Sequence, residues 1–168
     1  MPIEFTFLNY LQTLHTPQLN AFFLGLTHLV DYLWYVLTLA LIFYKPTRKV
    51  GIVLALALIA QYLIGSGIIK RLVARPRPCD ISTAYELLVK RPRGYSFPSG
   101  HSSMAMSVVG VLYGARLKWL LVPVTLCALL VVFSRMYLYV HFPTDVLAGS
   151  VLGFSVGYAC WRWLKDAV

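Results

Sequence analysis

Acid is what this chain has least of. Six Asp and Glu stand against fifteen Lys and Arg, a formal net charge of +9 in 168 residues, and charged residues total only 12%. A soluble domain carries about twice that share. With 59% hydrophobic residues and a mean hydropathy of +0.71, this scarcity excludes an ordinary water-soluble fold and indicates an integral membrane protein. Cysteine is sparse too: Cys79, Cys127 and Cys160 show no pairing pattern, so no disulfide framework is expected. Residues 1 to 17 contain Glu4 and His15 and lack a basic start followed by an apolar core, so no cleavable signal peptide is expected. Internal repeats and low-complexity tracts are also missing, and the chain reads as one domain over 1–168.

What is present is a series of apolar runs separated by short basic loops. Positive charge in such loops is explained by lipid headgroups, membrane orientation and a phosphate-bearing substrate, so no nucleic-acid partner is expected. The spacing of Phe7, Leu8, Leu11 and Leu14 gives one apolar helical face over residues 3–14, too short to cross a bilayer. Residues 1–28 are therefore expected as interfacial helices, and residues 29–163 as a transmembrane core. The expected spans are 29–44, 50–69, 98–113, 119–133 and 143–163. The fold class is all-α: a polytopic helix bundle with about five spans. If the first span instead begins at Gln18, His28 and Asp31 lie deep and need a partner; the sequence allows either. Gly149, Gly153 and Gly157 form a small-residue stripe expected to pack on another span.

Five spans put the 70–97 and 134–142 connections on one face, together with every unusual polar cluster. Lys70 ends the second span and Arg77 follows it. Ser99, Gly100 and His101 open the third, Arg135 closes the fourth, and His141 and Asp145 flank Pro143 at the start of the fifth. Proline is favoured at the first helical position, so Asp145 falls in a first turn within reach of His141. A carboxylate there holds one imidazole nitrogen as a donor and leaves the other free as a nucleophile or base. Two helix N-termini, three cations and the Ser99 hydroxyl suit a phosphate. Simple anion binding has no need of two histidines. Phosphoryl transfer does: His141 can attack phosphorus, and His101 can protonate the leaving group and then activate water. A metal on His101, His141 and Asp145 is the rival arrangement, and the surrounding positive charge argues against it.

These residues compose three motifs: K-x6-R-P at Lys70 to Pro78, P-S-G-H at Pro98 to His101, and S-R-x5-H-x3-D at Ser134 to Asp145. Together they resemble the signature of the type 2 phosphatidic acid phosphatase (PAP2) superfamily, which also includes the vanadium haloperoxidases. The resemblance covers roughly residues 29–163. It implies a cofactor-free, metal-independent lipid phosphatase. His141 would be the nucleophile, Asp145 its orienting partner and His101 the general acid, with Lys70, Arg77, Ser99, Gly100 and Arg135 binding phosphate.

The expected partners are the bilayer and a lipid phosphate: undecaprenyl pyrophosphate, phosphatidylglycerophosphate, phosphatidic acid or the 1-phosphate of lipid A. The Lys and Arg tally is eight on the catalytic face against seven opposite. Setting aside three phosphate ligands tips it towards an extracytoplasmic site in a bacterial inner membrane. Residues 79–97 read equally as a basic lid or as a solvated loop. A lipid phosphotransferase and a non-catalytic transporter or scaffold are the alternatives to hydrolysis.

Overall fold

The computed structural model describes residues 2–168, apart from the side chains of Pro2 and Asp31. Among the described residues every regular element is helical. Helix α1 covers Pro2–Thr13 and α2 covers Pro17–Phe43. Then come α3 (Arg48–Tyr62), a π-helical segment (Leu63–Ile69) and α4 (Lys70–Val73), in unbroken succession. A short α5 (Pro78–Ile81) sits in the long connection. The remaining three are α6 (Gly100–Gly114), α7 (Lys118–Tyr137) and α8 (Pro143–Leu164).

The expected second segment and first span are joined in one helix, bent by 41° between its halves Pro17–Val30 and Tyr32–Phe43. Thr16 caps a helix that starts at Pro17, its hydroxyl accepting from the Leu19 N–H at 3.3 Å, and α2 then continues to Phe43. The helix runs without a break through Thr27 and His28. Thr27 donates back to the Phe23 carbonyl at 2.8 Å. His28 is exposed, and the expected role of Asp31 lies outside the described residues.

Lys45–Ile81 and Lys118–Tyr137 are long and apolar enough to cross a membrane. The two halves of α2, bent by 41°, make a third when taken as one span. Helices α6 and α8, expected as the remaining spans, fall short of that test. With 15 residues, α6 is about 22 Å long, less than the roughly 30 Å of a hydrocarbon core. Serine and glycine dilute α8. Their place in the bundle accounts for both, since α6 and α8 form its most extensive helix pair and carry the stripe of small residues. A Cβ added at Gly153 would lie 1.9 Å from the Ser103 carbonyl oxygen, and one at Gly157 only 2.2 Å from that of Ser107. Backbone touches backbone along this seam, which is how helices associate where lipid removes the hydrophobic drive.

Around the seam, Val53, Leu54 and Ala57 of α3, Val108 and Leu112 of α6, and Ala128 and Val131 of α7 form the main core. Helix α1 lies across the end of the bundle where α6 and α8 begin. Leu8 and Leu11 are buried there, while Ile3, Phe7 and Tyr10 stay exposed. The apolar residues of α1 are thus shared between protein and surroundings, as an interfacial helix requires. The chain between α7 and α8 turns through Tyr139 at φ 59, a left-handed conformation that a non-glycine residue adopts only under surrounding constraint. The Tyr139 hydroxyl donates to Asn9 of α1 at 3.0 Å.

Candidate active site

Where α6 and α8 begin, a cavity of about 280 Å³ is lined by Lys70, Arg77, Gly100, His101, Arg135 and His141. Six of the eight residues singled out by sequence therefore meet around one space, contributed by five segments of chain. The other two stand behind the wall. Asp145 is fully buried beside His141, and the Ser99 hydroxyl accepts from Ser102 at 3.0 Å. Ser99 also donates its N–H to the Asp145 carbonyl at 2.9 Å, tying the start of α6 to the first turn of α8.

Pro143 occupies the first position of α8, and Asp145 the third. That register lets Asp145 Oδ2 accept the Phe142 N–H at 2.8 Å, satisfying a donor the helix leaves open. The same oxygen lies 3.6 Å from His141 Nδ1, an ion-pair distance slightly too long for a formed hydrogen bond. Among the described residues, no hydrogen-bond acceptor reaches Nδ1. On the other side of the ring, Arg77 Nη1 lies 3.2 Å from His141 Nε2. A guanidinium only donates, so Nε2 must be the unprotonated acceptor and Nδ1 the N–H that faces Asp145. Burial, reinforced by the Arg77 and Lys70 charges and opposed by Asp145, pushes the imidazole from its ordinary value down to about 4. The ring is therefore neutral at pH 7, with its lone pair on the cavity side.

The arginines are built into the wall. Arg77 also donates to the carbonyls of Val140 and Gly94, each at 3.0 Å, and is 4% exposed. Arg135, equally buried, donates to the Ser134 hydroxyl from Nε at 3.0 Å and from Nη2 at 2.9 Å, and also to Thr27 of α2. Fixed guanidinium forks suit the planar recognition of phosphate oxygens. Gly100 and His101 are the first two residues of α6, where backbone N–H groups lack helical acceptors and the dipole favours an anion. Among the described residues, no three His, Cys, Asp or Glu side chains converge in a way that could hold a metal ion.

Sequence reasoning missed several participants. Gln61 and Ser66 also line the cavity. Gln61 was visible as the polar interruption of an apolar run, and Ser66 lies inside the π-helical segment, whose wider turn nothing in the sequence announces. Arg75 and Glu4 were missed as well. Arg75 reaches Asp145 Oδ1 at 2.7 Å, and Glu4 holds Arg75 at 2.7 Å. The 79–97 connection is anchored in part: Arg91 pairs with Asp80 at 3.4 Å and bonds the Cys79 carbonyl, and Ser96 donates to the Arg75 carbonyl at 2.8 Å. Pro92 reaches the cavity, while Lys90 and Arg93 are exposed.

A second, apolar cleft of about 500 Å³ runs between α2 and α3 along Leu39, Ile42, Leu58 and Ile59. It shares Tyr35, Tyr62 and Met104 with the polar cavity, so the two adjoin.

The chain resembles known proteins in sequence and in fold. The chain is 34% identical to the undecaprenyl-diphosphatase of Sulfolobus acidocaldarius over 76% of its own length and 62% of the relative's. It is 31% identical to the lipid A 4'-phosphatase of Porphyromonas gingivalis over 88% of its length and 70% of the relative's. Its fold matches the crystal structure of a transmembrane PAP2 type phosphatidylglycerolphosphate phosphatase from Bacillus subtilis with a TM-score of 0.79. That match has 26% identity and covers 99% of this chain and 86% of that one. Residues 49–168 match the family model of the PAP2 superfamily, and the chain belongs to that superfamily.

Proposed function

We propose that this membrane protein is, as a single domain, a lipid phosphatase that works through a phosphohistidine. Lys70, Arg77, Arg135 and the Gly100 N–H receive the oxygens of a phosphate. Arg77 then gives up its contact with His141 Nε2 in favour of an oxygen, which frees the lone pair to attack phosphorus. The P–N bond forms as the P–O bond to the leaving group breaks, and His101 supplies the leaving group's proton. His101 then accepts a proton from water, water attacks phosphorus, and the P–N bond breaks to release phosphate and neutral His141. The cations neutralise charge on the equatorial oxygens, so the step needs no metal. Ser99 acts from behind the wall, through its bond to the Asp145 carbonyl.

The observation that carries this reading is the neutral His141 ring, its Nε2 lone pair on the cavity side and its Nδ1–H facing a buried carboxylate. The cleft between α2 and α3 supports a lipid substrate, because it adjoins the cavity and suits an apolar tail joined to the phosphate. Undecaprenyl pyrophosphate, phosphatidylglycerophosphate, phosphatidic acid and lipid A phosphates all have that form. The balance of loop charges supports a site on the extracytoplasmic side of a bacterial inner membrane.

The test is phosphate release by protein purified in detergent, with EDTA present, on those four lipids. Release that His141→Ala abolishes is the expected result. No release from any of them by folded protein would reject the hydrolase and leave a transferase or a binder.

A further inference from the structure

Helix α1 lies outside the stretch that matches the PAP2 family model, yet its Glu4 is three contacts from His141, by way of Arg75 and Asp145. Glu4, Arg75, Thr144 and Asp145 form a closed polar cluster behind the catalytic wall. Arg75 Nη1 donates to Asp145 Oδ1 at 2.7 Å and to the Thr144 hydroxyl at 2.6 Å. Its other terminal nitrogen, Nη2, donates to Glu4 Oε2 at 2.7 Å. Thr144 closes the circuit by donating its hydroxyl to Glu4 Oε1 at 2.6 Å. The guanidinium carbon lies 4.0 Å from the centroid of the Phe142 ring, and Phe5 of α1 meets that ring edge-on at 5.2 Å.

We propose that Arg75 and Glu4 are positioning residues for the phosphatase reaction, Glu4 aiming Arg75 and Arg75 fixing the plane of the Asp145 carboxylate. A carboxylate can turn about its last bond at little cost unless both oxygens are held. Here the Phe142 N–H holds Oδ2, and Arg75 holds Oδ1. Only with both in place does Oδ2 stay towards His141 Nδ1, where it orients the ring for attack. Arg75 is itself a long side chain with several rotamers, and its fork is committed on two edges: Nη2 to Glu4, Nη1 to Thr144 and Asp145. Without Glu4 the fork is free to swing away from Asp145.

Burial raises the Glu4 carboxyl, but bonds from Thr144 and Arg75, together with the Arg75 charge, hold it below its ordinary value. Glu4 is therefore ionised at neutral pH. The consequence is that α1, whose outer face presents Ile3, Phe7 and Tyr10, reports its seating to the reacting centre.

This inference rests on the phosphatase reading, and its test separates the two. Turnover and melting temperature would be measured for the full chain in detergent, for Glu4→Gln, Arg75→Gln, Arg75→Lys and the Glu4→Gln/Arg75→Gln double variant. Arg75→Gln is expected to lower kcat by roughly tenfold or more with KM unchanged, as for other residues that orient a catalytic ligand. Glu4→Gln should lower kcat by about threefold, and the double variant should be no worse than Arg75→Gln, since residues acting in series do not add. Arg75→Lys should recover only part of the rate, because an ammonium cannot serve both edges at once. Multiplying effects, or a loss of melting temperature with kcat intact, would overturn the proposal and leave a plain tether for α1. Should Arg75→Gln fail to fold, Glu4→Gln decides alone: it is nearly isosteric and keeps the Phe5 and Leu8 packing, so unchanged kcat overturns the proposal. A wild-type chain without turnover removes both readings; an active wild type with unaffected variants removes only this one.

Discussion

The two ends of the bundle carry the same kind of charge and use it differently. At the end opposite the cavity, Arg116, Lys118 and Arg162 are exposed. Arg162 reaches only the Tyr158 hydroxyl, at 3.4 Å, and Lys165 stands 4.0 Å from an exposed Asp166. At the catalytic end Arg77 and Arg135 are 4% exposed, hold several acceptors each and line one cavity. An exposed cation is screened and adapts to whatever lipid headgroup is near; a buried one must be fully bonded and points in one direction. A raw charge tally hardly separates the ends, eight against seven. The difference lies in burial and partners.

Substitutions at the two ends should therefore separate by orders of magnitude. Asp145→Asn should have the largest effect, a loss of about 10³- to 10⁴-fold in kcat with the fold retained, because it disturbs the His141 tautomer and ring orientation. Steady-state turnover beside a melting curve checks this, and near-normal activity would undo the role given to His141. Next comes Arg77→Lys, which keeps the charge but loses the fork. A fall of about 10²-fold in kcat/KM is expected, the size of losing one preorganised donor to a transition-state oxyanion.

A pH profile sharpens the comparison further. His141 must be neutral to attack, and its surroundings depress its value to about 4. The acid limb of kcat/KM should therefore fall well below pH 6.5, towards pH 4, whereas an ordinary histidine would lose activity through pH 6.5. The same depression means that stability contributed by neutral His141 is present above pH 6.5 and is lost as pH falls through the folded value. At the small end of the scale, Arg116→Ala or Lys118→Ala should change turnover by less than about twofold, as exposed charges do. A large loss from either would erase the distinction between the two ends.

How much of this was legible beforehand depended on the range of the interactions. The starts of α6 and α8 were readable because Pro98-Ser99-Gly100 and Pro143 are local signals, and α1 because its apolar spacing is local too. The joining of 17–30 and 32–43 in one bent helix was not. His28 and Asp31 read as polar residues at a helix entry, and Thr27 beside them is reached by Arg135, 108 residues away. The catalytic set was legible as residue types at fixed spacings, but the direction each side chain takes was not. Ser99 turns to Ser102 instead of the cavity, and Arg75, which reads as one more loop charge, reaches Asp145 across 70 residues and Glu4 across 71. Such contacts exist only once the bundle has closed.

The glycine seam between α6 and α8 has a further consequence, which concerns how such a site can diversify. His101 rides on the start of one helix, and His141 stands two residues before the start of the other. The distance between those starts is set by peptide groups in direct contact at Ser103 and Ser107, with no side chain intervening. A gauge made of backbone does not wear when side chains are exchanged elsewhere. The walls of the apolar cleft on α2 and α3 are therefore free to be rebuilt for another tail, while the interval that the transferred phosphoryl group must cross stays the same.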